Sequence, residues 1–136
     1  MAQDDNAGRQ MLGGAVMEGF QLNQQIKSLS SSLTQSIAKL AKNGKALAVA
    51  RHDYNIAKAK KVYELKAGVN GEKGMSISQI ELVIKGDLEI AALGLKRDEV
   101  EVLWEVGREK IMAIKMQLNI AQAQWNAEWA NAGRKS

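Results

Sequence analysis

Apolar residues recur every three or four positions along two long stretches of the chain, Leu22 to Leu65 and Ile90 to Trp129. That spacing keeps one side of an α-helix apolar, whereas a half-buried strand would alternate residue by residue. In the first stretch Ile26, Leu33, Leu40, Leu47 and Tyr54 fall at seven-residue intervals, and Leu29, Ile37, Ala50, Ala57, Val62 and Leu65 fill the adjoining positions. A sustained repeat of about 3.5 residues per turn predicts a left-handed coiled seam on a helix over 20–66. In the second stretch the stripe reads Ile90, Leu93, Val100, Trp104, Gly107, Ile111, Ile114, Leu118, Ala121 and Trp125, which predicts a helix over 88–130. Leu103, Val106, Ile120 and Trp129 widen this stripe beyond one seam. Two antiparallel helices hide only the stripe they share. The pattern therefore predicts an all-α fold, a long antiparallel helical hairpin of coiled-coil character that assembles into a helical bundle.

Glycine and serine punctuate these stretches. Gly8, Gly13, Gly14 and Gly19 each cost a helix roughly 1 kcal/mol relative to alanine, yet Leu12, Val16 and Phe20 keep a helical spacing. Residues 1–19 thus read as a glycine-rich helical or flexible arm, either a mobile terminus or a clasp on a neighbouring subunit. Residues 20–131 form the hairpin domain and 132–136 a polar tail. Within the first long helix Ser30, Ser31, Ser32 and Asn43 weaken the structure without breaking the stripe, and Gly44 sits where a small residue admits a close neighbour. Between Ala67 and Ser78 the helical pattern stops, with Gly68 suited to a left-handed C-terminal cap. Ser76 with Gln79, and Ser78 with Glu81, each have the spacing of a capping box. A short helix over 77–85 should follow, its Ile77, Ile80, Val83 and Ile84 folding over the tip of the hairpin. Gly86 then ends it and Asp87 supplies the N-cap of the next helix.

Composition narrows the chemistry. The 136 residues contain no proline and no cysteine, and aromatic residues make up 4 %. Aliphatic side chains and alanine build thin helical seams more readily than a wide core. Without cysteine there is no disulfide, thiolate or cysteine metal site, which suits a reducing compartment. No apolar run approaches the roughly 18 residues of a membrane span, and Asp4 and Asp5 stand where a signal peptide would be positive. The expectation is the cytoplasm, that of the host cell if the chain is phage-encoded, with no membrane contact. Net charge is +4, unevenly placed. Between Lys39 and Lys66 eight basic residues face two acidic ones, whereas between Leu88 and Asn131 five basic residues face seven acidic ones. One reading is a hairpin whose arms attract each other across their flanks; the other is a basic strip that meets phosphate or an acidic protein. Lys42, Lys45, Lys58 and Lys61 are the candidate nucleic-acid contacts, although only Tyr54 and Tyr63 lie among the basic residues as stacking platforms.

No catalytic constellation emerges. His52, the sole histidine, has no second histidine or cysteine with which to hold zinc and reads as a polar residue on the helix flank. Gly68 to Gly74 lacks the order of a phosphate loop. Glu99, Glu101, Glu105 and Glu109 lack the Glu-x-x-His pattern of a helical di-metal site and read as solvated face charges. The expectation is a non-enzyme with no cofactor and no metal. Trp104, Val106, Ile111 and Leu118 are expected near a subunit contact of a homodimer or higher oligomer. Trp125 and Trp129, one turn apart, are candidate interface anchors; their alternatives are closing the open end of the hairpin near Leu12, Val16 and Phe20, or forming an exposed partner site.

Arg51-His52-Asp53-Tyr54 with Ile56, Ala57 and Lys60, then Lys85-Gly86-Asp87, Ile90-Ala91, Leu93 and Arg97-Asp98, and finally Ile111, Lys115, Leu118 and Glu128-Trp129 form a pattern. It resembles small helical-hairpin accessory proteins of temperate phages and prophages of Gram-positive bacteria, over about residues 50–129. Members of that group lack an assigned activity, so the resemblance implies phage origin and an early or accessory gene product. The functional expectation is a non-enzymatic accessory protein that binds another macromolecule through a helical surface, in replication or recombination or as an inhibitor of a host or defence factor. Two alternatives stand beside it: a nucleic-acid binder that uses the basic strip, and a structural or assembly coiled-coil protein.

Overall fold

A computed structural model describes the backbone of residues 2–68 and 73–134, and side chains from Gly19 to Gly133 apart from residues 69–72. It contains α1 (Ala2–Ala67), α2 (Ile77–Gly86) and α3 (Leu88–Arg134), with no strand among the described residues. Helix α1 packs against α3, which makes the chain an all-α helical hairpin. Helix α1 begins well before the expected start near residue 20. Gly8, Gly13 and Gly14 lie inside it, since scattered glycines weaken a helix without clashing, whereas proline would break it. The expected clasp through Leu12 and Val16 lies outside the described side chains.

Two compact units make up the chain, residues 39–108 and residues 1–38 with 109–136. Within 39–108, Leu47 and Ala50 of α1, Ile80 of α2 and Ile90 of α3 are buried. Glycines set the spacing of this seam. Trp104 lies over Gly44, where a Cβ would stand 3.4 Å from its ring nitrogen. Ten residues further along α1, Tyr54 lies over Gly94, ten residues back along α3, at 3.3 Å from the equivalent point. Large residues thus face glycine alternately from either helix in an antiparallel register. Gly107 repeats the device against Leu40.

The turn is held by caps. The Ser76 hydroxyl accepts from the Gln79 backbone N–H, and the Gln79 side chain accepts from the Ser76 backbone N–H, so the first of the two expected capping boxes forms; Ser78 already lies in the first turn of α2. Asp87 accepts from the Ile90 backbone N–H at 2.9 Å, while its other carboxylate oxygen is 3.8 Å from Lys61 Nζ. Gly68 adopts φ 74°, the left-handed conformation expected of it, and the Met75 N–H donates to the Leu65 carbonyl at the end of α1. Helix α2 buries Ile80 and half-buries Val83 and Ile84, but Ile77 is exposed. The expectation that Ile77 folds inward is therefore corrected: it shares a helix face with Ile80 and Ile84, but as the first residue of α2 it stands at the end of the helix and stays exposed.

In the other unit Leu22, Ser36, Ile111, Ile114 and Ala121 are buried. Here the apolar pattern misled at one position. Ile37 was expected on the stripe but is 48 % exposed, while Ser36 is 9 % exposed. Leu22 and Leu29 set a seven-residue series that lands on Ser36, and Ile37 stands a further ~100° round the helix. Among the described residues eight apolar side chains are buried and seventeen large apolar ones are exposed. The intramolecular seam thus leaves many of the large apolar groups among the described residues exposed.

Candidate interaction surface

The exposed apolar residues are ordered. In residues 88–108 of α3, Leu88, Ala92, Leu95, Val102 and Val106 repeat the alternation of three and four, and all are exposed. This series is shifted two residues from the seam series Ile90, Leu93, Val100, Trp104. On a helix with seven residues per two turns, that shift rotates a stripe roughly 150° from the seam. Helix α3 therefore carries two apolar faces, of which one packs against α1. In the 109–136 unit, Ala113, Met116, Ile120 and Ala123 follow the same outer series and are likewise exposed. Residues 39–67 of α1 show the counterpart: Val49, Ile56 and Tyr63 at seven-residue spacing, with Ala59 between, at the same offset from their seam and exposed.

Charge differs between these outer faces. Glu99 lies in the outer stripe of α3, with Glu105 and Asp98 beside it. Asp98 accepts from Arg97 Nε at 3.0 Å, and this hydrogen bond raises the Arg97 pKa above its ordinary value. The outer stripe of α1 instead begins with Lys42 and Lys45, both exposed.

The expected interface residues separate into two groups. Trp104, Ile111, Leu118 and Trp125 lie on the seam that faces α1, fully or partly covered within the chain itself. They were expected near a subunit contact; the intramolecular partner takes that place because their series is in phase with Ile90 and Ala121. Val106 and Trp129 are 56 % and 63 % exposed and remain available to another chain. Trp125 and Trp129 meet edge to face, with ring centroids 5.9 Å apart. Phe20, expected near them in one reading, is exposed.

The four candidate lysines likewise do not form one strip. Lys42 and Lys45 point outward together, Lys61 occupies a seam position beside Asp87, and Lys58 stands 5.9 Å from the centre of the Tyr54 ring. Arg97 covers the same ring at 4.2 Å. Around this ring lies an open groove of about 690 Å³, lined by Tyr54, Lys58, Ile84, Lys85, Ile90 and Gly94 among others. Elsewhere on the flanks Arg51 pairs with Glu101 at 3.2 Å and Arg108 covers the Trp104 ring at 4.9 Å. His52 is exposed on α1. Among the described residues no group of three or more His, Cys, Asp or Glu side chains is placed to hold a metal ion, and no helix is long and apolar enough to cross a membrane.

Reading the flanking apolar residues as a widened seam missed their separation into an opposite face. Its signal was present in Leu88, Leu95 and Val102, which are seven residues apart. No protein-family model matches the chain, and neither a curated protein nor a solved structure shows significant similarity to it.

Proposed function

We propose that this protein is a non-enzymatic accessory protein of a temperate phage, which binds another macromolecule through the outer face of α3. The observation that supports this reading is the ordered stripe of Leu88, Ala92, Leu95, Val102 and Val106, exposed on a helix whose other face is already packed. Exposed apolar residues scattered singly are ordinary, whereas a contiguous patch marks a contact. Heptad spacing fits an occupant that is itself a helix, laid in by knobs-into-holes packing. The likeness of residues 50–129 to phage hairpin proteins supplies the accessory role, in replication or recombination or against a host or defence factor. Captured macromolecules from a Gram-positive lysate, identified by mass spectrometry, test this. Val102→Asp combined with Val106→Asp should abolish capture while the helical circular-dichroism signal persists. An unchanged captured set would remove the outer face of α3 from the function.

A further inference from the structure

Resting on that reading of the α3 face, we infer that its occupant is a second copy of this chain, docked through the outer face of α1, so that copies join head to tail. Three observations within residues 39–108 carry this. First, α1 and α3 each bear an outer apolar stripe at the same offset from the seam, Val49, Ile56 and Tyr63 on one and Leu95, Val102 and Val106 on the other, all exposed. Both repeat at intervals of three, four or seven residues, so their side chains interleave at the same pitch. Second, the charges around the two stripes are opposite. The α1 face carries Lys39, Lys42, Lys45 and Lys60 against Asp53, while the α3 face carries Glu89, Asp98, Glu99 and Glu105 against Lys96. Pairing α3 with its own twin would oppose like charges, whereas α1 against α3 opposes unlike ones. Third, the stripes lie roughly 150° from the seam on each helix. The corner of a four-helix bundle needs two faces near a right angle, so faces roughly 150° apart favour helices stacked side by side in this contact. An α1–α3 contact between copies uses different patches on each, and such heterologous contacts extend into rings or open chains.

Charge reversal tests this directly. One variant carries Glu99→Lys and Glu105→Lys, the other Lys42→Glu and Lys45→Glu, and sedimentation velocity at low salt reads self-association at micromolar concentration. Wild-type protein should form species beyond a monomer that dissociate as salt rises. Each variant alone should associate at least about tenfold more weakly, by 1.4 kcal/mol or more. An equimolar mixture of the two should regain association, because each supplies the complement of the other, and this recovery also shows that both variants are folded. If the lysine variant associates like wild type, α3 pairs with α3 and the head-to-tail contact is wrong. A wild-type chain that stays monomeric at all salt concentrations overturns the self-docking inference; loss of lysate capture in the Val102→Asp and Val106→Asp variant would still uphold the α3 face as a docking site for a foreign partner.

Discussion

Gly68 and Gly74 hold the connection after α1 by two different physical means. Gly68 adopts φ 74°, a conformation in which a Cβ crowds the following carbonyl. At Gly74 the constraint is space: a Cβ there would overlap the Lys66 carbonyl oxygen, which is backbone and cannot swing aside. Gly86, the last residue of α2, meets nothing within 4 Å. Gly74→Ala is therefore expected to lower stability by at least about 2 kcal/mol, the scale of backbone incompatibility. Gly86→Ala should raise it by about 0.5–1 kcal/mol through helix propensity. Urea unfolding followed by circular dichroism checks both, and equal effects would contradict the geometry. A glycine-rich connection was legible in the sequence, but which glycine answers to φ and which to a neighbouring carbonyl depends on where the chain doubles back.

At the scale of the helix, burial separates neighbours two residues apart. Leu47 is 3 % exposed and Val49 is 59 % exposed. Leu47→Ala should cost about 2–5 kcal/mol, the usual range for a buried leucine, whereas Val49→Ala should change the stability of dilute protein by no more than about 0.5 kcal/mol. Equal costs in thermal melts of the two variants would mean that the seam is misplaced. Much of this face was legible beforehand: the seven-residue series through Leu47 and the α3 stripe from Ile90 to Trp125 both lie on the observed seam. Ser36 and Arg97 were not read as seam residues. Serine and arginine carry no apolar signal, and their positions follow from phase, which neighbours such as Leu29 and Ile90 impose on the helix. Arg97 is accommodated by laying its guanidinium on Tyr54 and its charge against Asp98.

For the whole molecule, the placement of the lysines bears on nucleic-acid binding. Each phosphate neutralised contributes roughly 0.7 to 0.9 to the log–log salt slope. Four lysines on one strip would give a slope near −3, by the same rule about four times one contact. With Lys61 beside Asp87 and Lys58 over Tyr54, only Lys42 and Lys45 face outward together, so any slope from these four should not exceed about two contacts. Fluorescence anisotropy with single- and double-stranded DNA over a salt series measures it, and a slope that all four Lys→Gln changes diminish equally would restore the strip.

By itself the sequence determined the hairpin helices apart from the start of α1, the turn, and most of the seam, because those depend on local spacing: apolar residues every three or four positions, a left-handed glycine at 68, a serine cap at 76 and an aspartate cap at 87. Only the tertiary structure decided which apolar residues were surplus. Along one helix Val102 and Trp104 are both apolar, and nothing in their identity says which will be covered. The register of α1 against α3 places Trp104 over Gly44 and leaves Val102 on the opposite side. Periodicity states that a face exists; a second helix, bringing its own glycines and side chains to particular positions, is needed to fill one face and leave the other open.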